Sequence, residues 1–419
     1  MTETLGVFQT ALWGILTFSI LIVLHEMGHF LAARAFGVKV HEFMLGLPGP
    51  ALRLRTKNMV WGVTAVPFGG YVRIAGMEPG EEDALLGDAL VAIRDHGPLG
   101  MAELRRILDV GDERAESILR SLEEWKAIVP DERGSYALAV DGEVGGRDAA
   151  GLLDTARSVT YRGQSTWKRI VILAMGVVTN LVVAVVTLTV FFSIWGYVDL
   201  TTRIDSISEE SPASAADIRV GDRLLAVDGE TFADWDRFQI ILATTQPGDE
   251  VTITLDRDGD RLDVPVTLAE REGHGFLGVG PTAIPVEHPG LWESTRQSLR
   301  YLGLVARSIG DLFTPAKFAG TVKTFTGPIG VSVLAQDAAR SGPLAFAALM
   351  AMLSLSLGLM NILPLPPLDG GKIALELVER VVGRPLPRTV TIAFSAVGAV
   401  LLFSLIGYVM FQDIMRYAT

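Results

Sequence analysis

Two histidines four residues apart, with a glutamate directly after the first, form the stretch His25-Glu26-Met27-Gly28-His29. On an α-helix, positions i and i+4 share one face, so both imidazoles can reach a single metal ion. Glu26 stands beside them and can act as general base toward water that the metal activates. A catalytic zinc takes three protein ligands and keeps one position for water. The chain has no cysteine. That excludes thiolate zinc sites, disulfides and cysteine nucleophiles, and it leaves His, Asp or Glu as the third ligand.

The best candidate is Asp369, in Asn-Ile-Leu-Pro-Leu-Pro-Pro-Leu-Asp-Gly-Gly-Lys from Asn361 to Lys372. Pro364, Pro366 and Pro367 forbid a regular helix there, and Gly370-Gly371 free the backbone. Non-helical backbone at membrane depth is tolerated only inside protein or beside a wet cavity, so this stretch suggests an aqueous pocket. Asn361, eight residues before Asp369, could bind a substrate carbonyl or an oxyanion, or could simply join helices. Glu42 and Asp413 are poorer ligand candidates, and His41, His96, His274 and His288 lack the paired spacing.

These residues sit in a membrane-like context. Of the 419 residues, 49% are apolar, which argues against a fully soluble protein. Apolar segments run from about Leu5 to Ala33, Ile170 to Trp195, Leu344 to Leu363 and Val390 to Phe411, each near the roughly 20 residues of a spanning helix. Ala33-Arg34-Ala35 mimics a signal-peptide cleavage site, but no basic residue precedes the apolar run and cleavage would discard the histidines. Three ionisable groups in a spanning helix are costly and read as functional.

Basic residues sort the loops. Arg34, Lys39, Arg53, Arg55 and Lys57 follow the first segment, Arg162, Lys168 and Arg169 precede the second, and Lys372, Arg380, Arg384 and Arg388 separate the last two. All fall on one side of a four-span arrangement. The expectation is a multi-pass protein of the inner (cytoplasmic) membrane, with both termini extracytoplasmic and the site near the cytoplasmic side. The net charge of −12 argues against nucleic acid as a partner.

The expected organisation is an α-helical polytopic membrane protein of about four transmembrane helices. Helix one with the histidine motif covers 1–36 and a membrane-associated β-hairpin region 37–78. Strands are expected around Val60, Val63, Ala65 and Val66, then Tyr71, Val72 and Ile74, bent at Pro67 and Gly69-Gly70. A substrate could add a strand there. A soluble, cytoplasmic insertion covers 79–158. Its order of helix, turn, helix and short hairpin is winged-helix-like, and Asp112, Glu113, Glu116, Glu123 and Glu124 would repel phosphate. A protein or ligand partner for this insertion is the expectation. Helix two covers 165–197. An extracytoplasmic PDZ-like α+β domain follows over 198–272, with a small-residue helix from Ala213, Gly221-Asp222, a strand Arg223–Val227, the Asp228-Gly229 turn and a hairpin at Asp258-Gly259. A linker with an amphipathic helix covers 273–342, helix three with the Asp369 motif 343–375, and helix four 388–413.

His-Glu-Met-Gly-His in the first span, Pro-Phe-Gly-Gly-Tyr-Val-Arg-Ile-Ala-Gly-Met, one PDZ-like domain, Thr-Gly-Pro-Ile-Gly-Val and Asn-Ile-Leu-Pro-Leu-Pro-Pro-Leu-Asp-Gly-Gly together resemble the bacterial site-2 protease family. The resemblance covers about residues 1–78 and 158–419. It implies an intramembrane zinc metalloendopeptidase of regulated intramembrane proteolysis, with one catalytic Zn2+ held by His25, His29 and Asp369, and Glu26 as acid/base. Asn361 falls where relatives have a substrate-contacting asparagine. Gly69, Gly70 and Tyr71 lie in the strand region that presents substrate. Substrates would be transmembrane segments of membrane proteins in the lipid bilayer, such as anti-sigma factors or remnant signal peptides, pre-trimmed by another protease. The chain departs from the pattern at Leu45-Gly46-Leu47-Pro48-Gly49 and at Met175-Gly176-Val177-Val178-Thr179-Asn180, in having one PDZ-like domain rather than two, and in the 79–158 insertion. The competing readings are a membrane-embedded PDZ-type scaffold with a degenerate metal site, and a transporter with a midplane ion site.

Overall fold

The computed structural model describes residues 2–46, 48–56, 59–65, 69–77, 83–132, 134–139, 148–271, 274–315, 318, 321–322, 325–384 and 386–417. Leu47, Lys57, Val66, Pro67 and Glu78, which enter the expectations above, lie outside the described residues. The chain forms two compact units, Met1–Thr187 with Tyr301–Thr419, and Leu188–Arg300. The helices along the chain are α1 (Thr2–Ala35), α2 (Leu86–His96), α3 (Met101–Leu108), α4 (Asp112–Glu124), α5 (Ala149–Arg157) and α6 (Thr166–Trp195). Then come α7 (Pro212–Ala215), α8 (Trp235–Ala243), α9 (Leu291–Gly310), α10 (Pro328–Ser341), α11 (Pro343–Asn361), α12 (Asp369–Val382) and α13 (Arg388–Tyr417).

Among the described residues four helical stretches are long and apolar enough to cross a membrane: Phe8–Ala35, Thr166–Trp195, Pro343–Asn361 and Thr389–Arg416. They match the four apolar runs of the sequence. The stretch 343–375 holds two helices, parted where the prolines stand: α11 ends at Asn361 and Asp369 opens α12. Three prolines in the break carry no N–H for a helical ladder. Gly370 and Gly371 let α12 close onto that break, since a Cβ at either would meet the backbone of Ile362 or Pro366 at 2.1 and 2.4 Å.

α10 lies in the stretch expected as linker. It packs along α1, where Thr10 donates to Gln336 Oε1. Its amino end is capped from α13: the N–H groups of Gly327 and Gly330 donate to the two carboxylate oxygens of Asp413 at 3.1 and 2.8 Å. A buried aspartate thus satisfies orphan donors at a helix start.

The 37–78 region is wider than a hairpin. It is a sheet of four strands, β1 (Val40–Leu45), β2 (Ala51–Arg55), β3 (Val60–Thr64) and β4 (Gly70–Ile74), in the order β2-β3-β1-β4. The strands expected to pair with each other, β3 and β4, are separated by β1, which runs parallel to β3 and antiparallel to β4. β1 is covered by neighbours on both edges and shows no clean apolar alternation in Val-His-Glu-Phe-Met-Leu, so a period-2 reading passes over it. β2 is an edge strand whose Leu52 and Leu54 are exposed.

The insertion has its own core, built from Leu90, Ile93, Leu104, Ile118, Leu122 and Ile128 among others. Its elements run α2, α3, α4, the hairpin of β5 (Ile128–Pro130) with β6 (Tyr136–Leu138), and α5.

In the Leu188–Arg300 unit, strands β7 (Tyr197–Ile207), β8 (Arg223–Val227), β9 (Glu230–Thr231), β10 (Glu250–Arg257), β11 (Asp260–Thr267), β12 (Ala269–Arg271), β13 (His274–Phe276) and β14 (Val279–Val286) surround α7 and α8. The main sheet has the order β11-β10-β8-β7-β14. The Asp228-Gly229 and Asp258-Gly259 turns take positive φ at all four residues, as short hairpin turns require. The domain expected to end at 272 continues through β14, which pairs along β7. Pro281 and Pro285 argue against a strand in the sequence, but β14 is an edge strand and its register shifts at Gly280–Ala283, where proline is tolerated. Asp222 is buried in this unit and held by Arg257, whose Nε and Nη2 each lie 2.8 Å from its carboxylate.

Candidate metal centre

The helical periodicity of α1 puts His25 and His29 on one face, and tertiary packing supplies the rest. Asp369, 344 residues from His25, meets it at 2.8 Å between Oδ2 and His25 Nε2. The same oxygen is 3.2 Å from His29 Nε2, and the two Nε2 atoms are 3.2 Å apart. All three residues are buried, and they form a group able to hold a metal ion. Donors about 2.0–2.1 Å from a tetrahedral zinc stand about 3.3 Å apart, close to these separations. The donor set of two imidazoles and one carboxylate suits zinc chemically.

α6 shapes the space. Gly176 faces the two rings: a Cβ there would lie 2.4 Å from His29 Nε2 and 2.8 Å from His25 Cε1. The two rings therefore occupy the space that any side chain at 176 would fill. Gly28 on α1 lets the two helices approach as closely, since its Cβ would meet Met175 O at 2.1 Å. One turn before Gly176, the Ile172 carbonyl lies 2.8 Å from His29 Nδ1. One turn after it, Asn180 Nδ2 lies 3.4 Å from His25 Nδ1. Lys372, one turn into α12, places Nζ 3.5 Å from Asp369 Oδ1.

Glu26 points toward the sheet. Its Oε2 accepts the backbone N–H of Val72 at 3.1 Å, so the edge strand β4 lies directly against the carboxylate. Gly69 and Gly70 run past α1 at Ile22 and Val23, and Tyr71 Oη donates to Glu42 Oε2 at 3.4 Å. The region holding Gly69, Gly70 and Tyr71 is thereby brought to the helix that carries the histidines. Asn361 is different: it is buried, and its Nδ2 donates to Leu357 O on its own helix at 3.0 Å. His41, set aside in the sequence, lies away from the cluster and is pushed down to about 4, chiefly by burial and then by Lys126 and Arg73.

Behind Asp369, on the same helix, Glu376 accepts from Tyr161 Oη at 3.0 Å and pairs with Arg169 Nη1 at 3.0 Å. Burial raises Glu376 above the ordinary carboxylate range against the pull of Arg169 and Tyr161. This cluster pins α12 to the start of α6. The sequence reading assigned no role at the site to Ile172, Gly176, Lys372 or the Arg169–Glu376–Tyr161 cluster. Of these the glycine carried a usable signal, as the one glycine of its span.

Two imidazoles and a carboxylate able to hold a metal, buried among helices of membrane-spanning length, fit the class of intramembrane metallopeptidases. The sequence pattern of peptidase family M50 matches residues 13–405, and the chain belongs to that family. A Brucella suis protein that carries the name of a zinc metalloprotease is 26% identical over 415 residues, spanning 94% of this chain and 92% of the relative. An Enterococcus faecalis protein named as the protease eep is 26% identical over 437 residues, spanning 98% of this chain and 99% of the relative. Among solved structures, the PDZ domain of the SdrC-like protein from Listeria innocua matches 19% of this chain and 92% of its own length, at 20% identity and a TM-score of 0.18.

Proposed function

We propose that this zinc metalloprotease holds its ion through His25, His29 and Asp369 and cuts transmembrane segments of membrane proteins with Glu26 as acid/base. The observation that carries the reading is the convergence of those three buried donors on one point beside Glu26. Zinc bound there would supply Lewis acidity and lower the pKa of water toward about 7.

The chain's own groups divide the remaining work. Glu26 takes a proton from the attacking water as its oxygen adds to the scissile carbonyl carbon. It then passes that proton to the amine as the C–N bond breaks. A helical substrate hides its carbonyls, so it must first be extended. The open edge of β4 offers main-chain partners for an extended segment. Val72 N–H is now bonded to Glu26; a substrate strand that takes this N–H releases the carboxylate for catalysis. Asn361 would leave Leu357 O to hold the substrate carbonyl or the oxyanion. The 188–300 unit would act as an extracytoplasmic PDZ-like filter that excludes substrates not yet trimmed by another protease. The 79–158 insertion would be a cytoplasmic winged-helix-like docking module. The basic loops support an inner-membrane protein with both termini outside.

The test is cleavage of a membrane-embedded model substrate in proteoliposomes. Glu26→Gln is expected to retain zinc and to lose cleavage by at least about 100-fold, the size of a general acid–base contribution. Cleavage at the wild-type rate by this variant would remove Glu26 from the mechanism.

A further inference from the structure

Both histidines present Nε2 to Asp369. If these are the ligand atoms, each neutral imidazole carries its proton on Nδ1, and that N–H needs an acceptor. His29 has one in the Ile172 carbonyl at 2.8 Å. The group facing His25 Nδ1 is the side-chain amide of Asn180 at 3.4 Å. Asn180 is fully buried, and its Oδ1 has no hydrogen-bond partner within the described structure. Turning the amide brings that unpaired oxygen to the His25 N–H and supplies the acceptor the imidazole needs.

We infer that Asn180 is a positioning residue for His25: its Oδ1 accepts the His25 Nδ1–H and fixes the tautomer that turns Nε2 toward the metal. A half-turn of the amide exchanges Nδ2 for Oδ1 without moving any other atom. The main-chain carbonyl of Asn180 has its own partner, Ser354 on α11, which donates to it at 3.0 Å, so that bond is separate from the side-chain amide. Ile172, Gly176 and Asn180 then form one face of α6, repeating every four residues, with an acceptor for each histidine on either side of the glycine gap. Outer partners of this kind orient ligands and set metal affinity. The inference rests on the zinc reading above and deepens it.

The test is the zinc dissociation constant of the full-length protein in detergent, measured by competition with a chelator. Asn180→Leu removes the acceptor at similar volume, and it is expected to weaken zinc about 10- to 100-fold. Asn180→Asp keeps an acceptor oxygen and is expected to restore binding to near the wild-type value. Ser354→Ala loses the α6–α11 hydrogen bond without touching the imidazole, and it is expected to leave affinity unchanged. Wild-type affinity in Asn180→Leu, or an equal loss in Ser354→Ala, would overturn the assignment. A wild-type protein that binds no zinc at all would instead sink the metal reading itself, so the two failures are distinguishable.

Discussion

Gly176→Ala is expected to cost the protein its metal while leaving its fold standing. The new Cβ would lie 2.4 Å from His29 Nε2, 2.7 Å from His29 Cε1 and 2.8 Å from His25 Cε1. Carbon atoms in contact settle at about 3.5–4.0 Å, so the His29 ring must withdraw by about 1 Å. A zinc site tolerates ligand displacements of about 0.2 Å. The ring has little freedom to adapt, because it is buried and its Nδ1 is tied to the Ile172 carbonyl. The energetics of the helix point the other way. Alanine is favoured over glycine in a helix by about 1 kcal/mol, and overpacking costs about 1–3 kcal/mol. The net loss is therefore about 0–2 kcal/mol, which a folded domain of ordinary stability survives. Metal analysis and chelator competition on the purified variant, beside thermal unfolding, separate the two effects. Zinc affinity should fall at least about 100-fold, beyond the loss typical of an outer partner, with a small change in Tm. A variant that binds zinc as tightly as the wild type would refute the claim that the rings fill the space a side chain at 176 needs.

The other expectations concern the scaffold. Glu376→Ala leaves Arg169 partly buried without its counter-charge and is expected to destabilise the helical unit by about 3 kcal/mol, the low end for a broken buried pair; an unchanged Tm would show that the Arg169–Glu376–Tyr161 cluster does not hold α12. Asp413→Ala strips the acceptor from Gly327 and Gly330, at about 1–3 kcal/mol for buried donors left unpaired. Hydrogen exchange should then speed up at the start of α10, and unaltered protection there would count against the cap. In the Leu188–Arg300 unit, burial pushes Asp222 up, but Arg257 and the Arg219 N–H outweigh it and hold the carboxyl below its ordinary value. A depressed native value stabilises above the unfolded pKa and is lost as pH falls through the native one. Unfolding of this unit should therefore become easier below about pH 4, and Asp222→Asn should flatten that acid dependence; an identical acid profile in the variant would exclude Asp222 as its source.

Much of the candidate site is local in origin and therefore legible in the chain. The i, i+4 histidines with Glu26 read directly as a helix face, because α1 is one uninterrupted apolar helix. The prolines before Asp369 read as a break, and α11 and α12 part there as expected. The four apolar runs correspond to helices of spanning length. Turn chemistry at Asp228-Gly229 and Asp258-Gly259 was equally plain, since those positions need positive φ.

What tertiary structure alone decided depends on approach between distant segments. Asp369 as the partner of His25 and His29 was the best guess of the sequence, but only packing brings its Oδ2 within 2.8 Å of a residue 344 positions away. No local pattern announces that β1 separates β3 from β4, or that β14 adds an edge strand beside β7, because pairing partners are not encoded in a strand's own periodicity. The face of α6 formed by Ile172, Gly176 and Asn180 is the clearest case. In the chain these are a branched residue, a glycine and an asparagine in a spanning run. They become an acceptor, a gap and a second acceptor only when α1 packs against them closely enough for a single methyl group to strike a ligand ring.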